Sequence, residues 1–471
     1  MQHGRLPVPI VLPISSLYNR EMQQENLTDR FLERICSIRY EDIPVTAVTM
    51  LRACLADTIG VTFAGAADLK EKEERLLSLI DDGSEVVIPL GFNRKTSIPN
   101  AILINGLSSH FLELDDGVRY GVIHPSAPLF SALIPIAIVK NVSWQQFVLG
   151  AICGYETSIR IASAMQPSHY SKGYHPTATC CTLGVAVGIA VMLGYNRQEI
   201  KDSFGTATIS AYGTLKVLED VSELKPYNCA KAALMGYYAA MMGKAGFASP
   251  EDPLTESTGF SKMMCDSYDE ERLIGKWDTL AIEKVYLKPY ASCRHTHPEI
   301  EAAFSIRNQK GFEAEKISSI KVTTYKGVIG KHDFNTVYGE SSARMSIPYS
   351  LAVALVTGRA GIEEFTDKYI SDSLIQCLTK LVIIEGDDEL SKLVPDQRVA
   401  IVYVEQTDGK SFTKRVDYPK GEPENPLSKE ELYAKFSSMT DHAGMSDNTG
   451  MKLFRMVMED DIVNFNKLNH G

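Results

Sequence analysis

The chain has 471 residues, of which 44% are hydrophobic and 23% charged, so two domains with a large buried core are expected of a soluble globular protein. The formal net charge is −11 and no dense run of lysine and arginine occurs, which argues against nucleic acid as a partner because phosphate binding needs a basic surface. The nine cysteines form no Cys-x-x-Cys pair, which argues against a disulfide framework or structural zinc and favours a reducing, cytoplasmic compartment.

The first 25 residues indicate an N-terminal extension. Their apolar part is short and is interrupted by Pro7, Pro9 and Pro13, whereas a signal peptide needs a longer, unbroken apolar segment. From residue 26 to about 280, apolar residues recur at helical spacing, which predicts one helix after another.

The longest uncharged run, Tyr174 to Tyr195, approaches the length of a membrane span. His175 and Pro176 stand at its start and small residues fill it. A helix buried in a soluble bundle is therefore favoured over a membrane span.

The pattern changes near Trp277. "SSIKVTTY" alternates as a half-buried strand does, "TKLVIIEGD" is a second strand candidate, and "RVAIVYVEQTDGKSFTKRVDYP" predicts a hairpin around Asp408-Gly409. After a linker-like stretch, Ser428 and Glu431 form a capping box that begins another helix. The predicted fold is mainly α, with a large all-helical domain (26–280 and 421–471) and a smaller α+β lid domain (281–420).

Five short stretches combine polar groups with helix-like or core-like sequence: "ELDDGVRYGVIHPS", "KGYHPTAT", "SELKPYNCAKAA", "YLKPYASCRHTHPE" and "SSARMSIPYSLAVAL". His124 and His175 each precede a proline and a hydroxyl residue, and proline favours the first turn of a helix. Each imidazole is therefore expected at a helix N-terminus, whose field disfavours the imidazolium and suits a neutral base. A satisfied core histidine is the alternative for either one. No H-x-x-x-H or H-E-x-x-H pair supports a metal site.

Lys225 and Lys288 share the pattern Lys-Pro-Tyr, and a lysine held in this way can bind a substrate carboxylate. Arg294 adds a bidentate donor. The alternative for each is an ordinary surface cation. Cys293 is a candidate nucleophile with His295 and His297 nearby in sequence, although a packed cysteine is at least as plausible.

The acids Glu113, Asp115 and Asp116 follow an apolar segment. If this stretch is helical, Glu113 and Asp115 project to roughly opposite sides, so the three acids cannot share one site. One of them could orient a histidine or act as acid or base, and another could cap a helix or pair with Arg119. No Gly-rich phosphate loop or Rossmann pattern is present. The set suits proton transfer next to a carboxylate, without a nucleotide cofactor.

Together the five stretches, from about residue 26 to 465, resemble the MmgE/PrpD family of 2-methylcitrate dehydratases, cis-aconitate decarboxylases and iminodisuccinate epimerase. The resemblance implies an all-α domain with an α+β lid and a homodimer. It also implies no metal or organic cofactor, and a small di- or tricarboxylate bound in the cleft between the domains.

On this resemblance His124 and His175 match the family's acid and base, and Lys225 and Lys288 match its carboxylate-binding lysines. Four residues depart from the pattern of the decarboxylases. Those enzymes carry aspartate at the position of Glu113 and threonine at that of Gly117. They carry a frequent histidine at the position of Asn228 and a catalytic histidine at that of Cys293. These departures argue against itaconate formation and make Arg294 and His297 local candidates. The predicted site has catalytic His124, His175, Glu113, Cys293 and His297, substrate-binding Lys225, Lys288, Arg294 and Asp116, and no metal.

The predicted activity is that of a hydro-lyase similar to 2-methylcitrate dehydratase. The alternatives are an epimerase of an aminodicarboxylate, a cis-aconitate decarboxylase, and a non-catalytic binding protein that kept the fold. Two bases on opposite faces of the substrate would favour epimerisation, whereas one base with an acid aimed at a hydroxyl would favour dehydration.

Overall fold

The structure is a computed structural model that describes residues 26–81, 83–218, 222–275 and 277–470. The predicted N-terminal extension, residues 1–25, lies outside the described residues. The prediction of a mainly helical fold is confirmed.

Helices follow one another through the first part of the chain, as the apolar spacing predicted. They are α1 (Leu27–Ser37), α2 (Val45–Ile80), α3 (Ile98–Phe111), α4 (Ser126–Lys140), α5 (Trp144–Met165), α6 (Ser168–Ser171), α7 (Pro176–Met192), α8 (Arg197–Ser210), α9 (Lys225–Lys244), α10 (Phe260–Met264) and α11 (Glu270–Ile274).

The uncharged run of Tyr174 to Tyr195 forms helix α7, which is buried along nearly its whole length. Its small residues allow close packing against α5, because a Cβ atom at Gly184 would overlap the Ser158 hydroxyl. Among the described helices, α2 is the one long and apolar enough to cross a membrane, and 72% of its most apolar window is buried inside the protein.

The second part of the chain contains a sheet and further helices. The helices are α12 (His297–Arg307), α13 (Glu340–Met345), α14 (Ile347–Thr357), α15 (Asp367–Ile370), α16 (Ser373–Leu381) and α17 (Asp388–Lys392). The strands are β1 (Ile317–Tyr325), β2 (Val382–Asp387), β3 (Ala400–Gln406) and β4 (Ser411–Val416), in the order β2-β1-β3-β4.

Strand β1 is parallel to β2 and antiparallel to β3, with Val322 opposite both Ile384 and Val402. The hairpin of β3 and β4 turns at Asp408-Gly409 as predicted, with Gly409 at a φ of +84°. The strand predicted in "TKLVIIEGD" begins only at Val382, because the residues before it complete helix α16.

The chain ends with α18 (Lys429–His442), which begins at the predicted capping box, and α19 (Asp447–Met458). Both pack on α2. One apolar core lies among the helices of the first part, and a second lies between α12, α14, α16 and the sheet. The second core also includes Leu112 and Leu114, which come from the first part of the chain. The two cores therefore do not divide the chain at residues 280 and 420, and these domain boundaries stay a prediction.

Candidate active site

The segment between α3 and α4 carries the acids, and it is not helical after Phe111. Glu113 adopts a left-handed backbone conformation with a φ of +53°, which is uncommon for a residue with a side chain. Its carboxylate and that of Asp115 both reach Lys288, whose Nζ lies 3.6 Å from Glu113 Oε2 and 3.8 Å from Asp115 Oδ1. The expectation that these two acids point to opposite sides is therefore wrong, because it assumed a helix.

The two predicted lysines meet at Glu113. Lys225 is the first residue of α9 and forms an ion pair with Glu113 Oε1. Lys288 is fully buried and donates a hydrogen bond of 3.0 Å to the Glu113 carbonyl. Burial alone would raise the pKa of Glu113, but Lys225 and Lys288 outweigh it and hold that pKa well below its usual range. Two ammonium groups thus face the carboxylates of Glu113 and Asp115, and these formal charges cancel.

Three imidazoles lie close together, and two of them lie beside Asp115. The ring centres of His110 and His124 are 4.9 Å apart, and those of His110 and His175 are 6.5 Å apart. Asp115 Oδ2 lies 2.7 Å from His110 Nδ1 and 3.6 Å from His124 Nδ1. Burial raises the Asp115 pKa, but His110, His124 and Lys288 outweigh it and lower that pKa, so Asp115 is an anion beside these two histidines.

His124 and His175 lie at helix N-termini, as predicted from the following prolines. His124 precedes α4 by two residues, and His175 is the N-cap of α7. Burial lowers the pKa of both imidazoles well below 6.5; the charge of Lys288 adds to the effect at His124 and that of Lys225 at His175. Both rings are therefore neutral at pH 7.

Hydrogen bonds assign opposite tautomers to these two neutral rings. His124 Nδ1 lies 2.5 Å from the Asp116 carbonyl oxygen, which can only accept, so Nδ1 carries the proton and Nε2 keeps a lone pair. His175 Nδ1 lies 3.2 Å from Asn228 Nδ2, which can only donate, so here Nδ1 accepts and Nε2 carries the proton. The Asn228 amide also donates to the Thr214 carbonyl at 3.3 Å, which fixes its orientation.

Asp116 lies behind His124. Its carboxylate accepts hydrogen bonds from the backbone and the hydroxyl of Ser126, at the start of α4. Burial raises its pKa well above the usual range. These contacts hold the connecting segment against α4 and position the carbonyl that binds His124.

Arg294 and His297 are buried and contact each other. Arg294 donates to Glu422 Oε1 at 3.0 Å, to the Lys420 and Pro419 carbonyls, and to His297 Nδ1 at 2.9 Å. His297 Nε2 then donates to the Ser292 carbonyl at 3.2 Å. Both side chains are engaged with the protein itself.

Cys293 lies beside His295, one of its two histidine neighbours in sequence, and beside the distant His332. Its thiol and one nitrogen each of His295 and His332 lie within 4.8 Å of one another, as do ligand atoms of His110, Asp115 and His124. Either set has donors that could hold a transition metal ion. Around the cysteine, however, burial and then the positive charges of Arg398 and Lys331 lower the pKa of His295, and the same charges oppose a bound cation.

A cavity of about 760 Å³ opens between the two parts of the chain. Glu113, Tyr170 and Lys225 line it on the helical side, and His332, Tyr338 and Arg344 line it on the other. Glu113 thus connects the cavity, through Lys288 and Asp115, to the histidine group. Arg344 belongs to the stretch SSARMSIPYSLAVAL that the sequence singled out without assigning it a role, whereas nothing in the local pattern of His332 or Tyr338 indicates that they face this cleft.

Comparisons with known proteins find matches for both parts of the chain. Residues 29–272 match the MmgE/PrpD N-terminal domain, and residues 290–454 match the MmgE/PrpD C-terminal domain. The chain is 23% identical over 445 residues to the cis-aconitate decarboxylase-like protein oryM of Aspergillus oryzae, covering 88% of this chain and 90% of that protein. Since both parts of the chain match, the protein belongs to the MmgE/PrpD family.

Proposed function

We propose that the protein is a hydro-lyase that removes the α-proton of a small di- or tricarboxylate and expels water from the neighbouring carbon. Family membership supports an enzyme of this general kind, and the comparisons leave its reaction open. The observation that carries the choice of reaction is the pair of opposite tautomers at His124 and His175.

His124 would be the base. Its Nε2 lone pair is available at neutral pH because the ring is uncharged and Nδ1 is held by a carbonyl. When it takes the substrate proton, Asp115 lies 3.6 Å from Nδ1 and stabilises the imidazolium that forms.

His175 would be the acid. Its Nε2–H is held in place because Asn228 donates to the opposite nitrogen. A donor of this kind can protonate a departing hydroxyl, while Lys225 and Lys288 stabilise the charge that develops on the carboxylate. Glu113 would be the group that positions both ammonium ions, through its contacts with each.

Epimerisation is less well supported. It needs a base on each face of the substrate, whereas the tautomers leave a free lone pair at Nε2 of His124 only, and Nε2 of His175 carries a proton. A decarboxylase is the second candidate, because the Aspergillus relative is described as cis-aconitate decarboxylase-like. Cys293 opposes that activity, since it stands where those enzymes are expected to carry a catalytic histidine.

A panel of citrate-like and aminodicarboxylate compounds tests the proposal. A hydro-lyase produces an alkene that absorbs in the far ultraviolet, an epimerase incorporates solvent deuterium without an alkene, and a decarboxylase releases carbon dioxide. His124→Ala and Lys225→Ala should abolish turnover while the fold survives, and His442→Ala, a half-exposed histidine paired with Asp68, is the matched control. Normal activity in either site variant contradicts the assignment.

The protein would act as a homodimer. Helix α9 presents large apolar side chains to solvent at Tyr227, Tyr238 and Met242, which are 49%, 46% and 38% exposed. A row of this kind along one helix supports a self-associating surface. Sedimentation of the wild type and of Tyr238→Glu checks it: a dimer that the variant converts to monomer is expected, and a monomeric wild type contradicts it.

A further inference from the structure

Arg398 differs from the other buried cations of the protein. Among the residues that the structure describes, each of the other buried lysines and arginines has a carboxylate oxygen within 4.0 Å: Arg119, Arg160, Lys288, Arg294 and Arg344. Arg398 is only 7% exposed, and it has no such partner within residues 26–81, 83–218, 222–275 and 277–470. A buried charge without a partner is costly unless an anion joins it.

The hydrogen bonds of Arg398 leave most of its donors free. Its Nη2 makes one long contact of 3.5 Å to the Arg119 carbonyl, and its buried Nε–H has no partner among the described residues. Glu422, the carboxylate that raises the pKa of Arg398, is already shared by Arg119 and Arg294. The guanidinium therefore keeps both its charge and its planar set of donors.

Arg398 also lies close to the candidate site. It comes two residues before β3, next to the end of β1, because Thr324 of β1 lies opposite Ala400. Tyr325, the last residue of β1, contacts the His295 ring through its hydroxyl. The ring centre of His295 lies 4.8 Å from that of His332, which lines the cavity.

The lysine pair alone provides no net charge for a substrate with several carboxylates, because Glu113 and Asp115 balance Lys225 and Lys288. Arg398 provides the positive charge that this balance lacks. A guanidinium with free donors matches a carboxylate in bidentate geometry.

We propose that Arg398 binds a second carboxylate of the substrate and makes the site selective for di- and tricarboxylates over monocarboxylates. The inference rests on the proposed function, since it assigns the part of the same substrate that is distant from the reacting carbon. The same proposal predicts that the unpaired Arg398 destabilises the ligand-free protein and that binding of the anion removes this destabilisation.

The test measures thermal stability and calorimetric binding of citrate, succinate and acetate to the full chain. Arg398→Met removes the charge at similar volume, so the ligand-free protein should melt at the same or a higher temperature. Its affinity for citrate and succinate should fall at least tenfold, since a charge-assisted hydrogen bond is lost, while the weak response to acetate should not change. Arg415→Met, on the neighbouring strand β4, makes the same change in net charge at an exposed position and should bind citrate as the wild type does.

Each outcome is decisive. Unchanged citrate and succinate binding by Arg398→Met overturns the inference and leaves the proposed function standing. A lower melting temperature for the ligand-free variant, with unchanged binding, shows that Arg398 is structural. If neither citrate nor succinate stabilises the wild type, the proposed function fails together with the inference. Should Arg398→Met not fold, Arg398→Lys keeps the charge without the planar donors, and wild-type citrate affinity in it excludes bidentate binding.

Discussion

Replacing His175 by glutamine should separate removal of the α-proton from loss of the leaving group. Glutamine keeps an N–H donor but cannot deliver a proton, so the elimination loses its general acid. General acid catalysis contributes about 10²–10⁴-fold in rate, or about 2.7–5.4 kcal/mol in the barrier. His175→Gln removes the hydrogen bond that Asn228 donates to the His175 ring, whereas Asn228 keeps its bond to the Thr214 carbonyl. The free energy of unfolding should therefore fall by only about 1 kcal/mol.

The assay follows two products in deuterated buffer, with the carboxylate that the wild-type enzyme dehydrates. Alkene formation should nearly stop in His175→Gln, whereas mass spectrometry of the recovered substrate should still show deuterium at the α-carbon. His124→Gln should lose both reactions, because it lacks the base, and His442→Gln should lose neither. The tautomer argument is refuted if His124→Gln still exchanges the α-proton, or if His175→Gln loses exchange and elimination equally.

Three further predictions follow from single residues. Burial and then Lys288 lower the pKa of His124, and the base works when it is neutral. The value of kcat/KM should therefore be level from pH 7 to 8 and fall only below pH 6.5. An inflection in the profile above pH 6.5 contradicts this prediction. Gly117→Ala should lower the free energy of unfolding by about 1–3 kcal/mol in urea denaturation, because its Cβ would lie 2.5 Å from Tyr286 Cζ. Wild-type stability of this variant would show that the Tyr286 ring can move aside. Burial raises the pKa of Glu73 from 4.5 to about 8, so its stabilising effect is complete below pH 4.5 and is lost as pH rises through 8. The melting temperature of Glu73→Gln should therefore fall less between pH 5 and pH 8 than that of the wild type, and an equal fall excludes the shift.

The parts of the site that depend on local sequence could be predicted. Proline after His124 and after His175 specifies a helix start, and both imidazoles lie at helix N-termini. The pattern Lys-Pro-Tyr has no single structural outcome, because Lys225 begins α9 whereas Lys288 lies in a non-helical segment. A tripeptide pattern does not determine which of these conformations the surrounding chain stabilises.

The parts that depend on tertiary contacts could not be predicted. The shared orientation of Glu113 and Asp115 arises from one left-handed residue that no local pattern indicates. The isolation of Arg398 is a property of the whole structure, because it depends on which acids the neighbouring arginines already bind. Arg294 and His297 illustrate the converse, since their positions in a polar motif gave no sign that they bind each other.

The segment that carries the acids is held by both apolar cores at once. Leu112 and Leu114 belong to the second core, while Val118 and Ile123 belong to the first. Glu113 and Asp115 alternate with the two leucines, so a shift of either core would turn the carboxylates away from the lysines. Recombining the halves of two such proteins should therefore yield folded but inactive chimeras unless the residues that pack against these four side chains are exchanged with them.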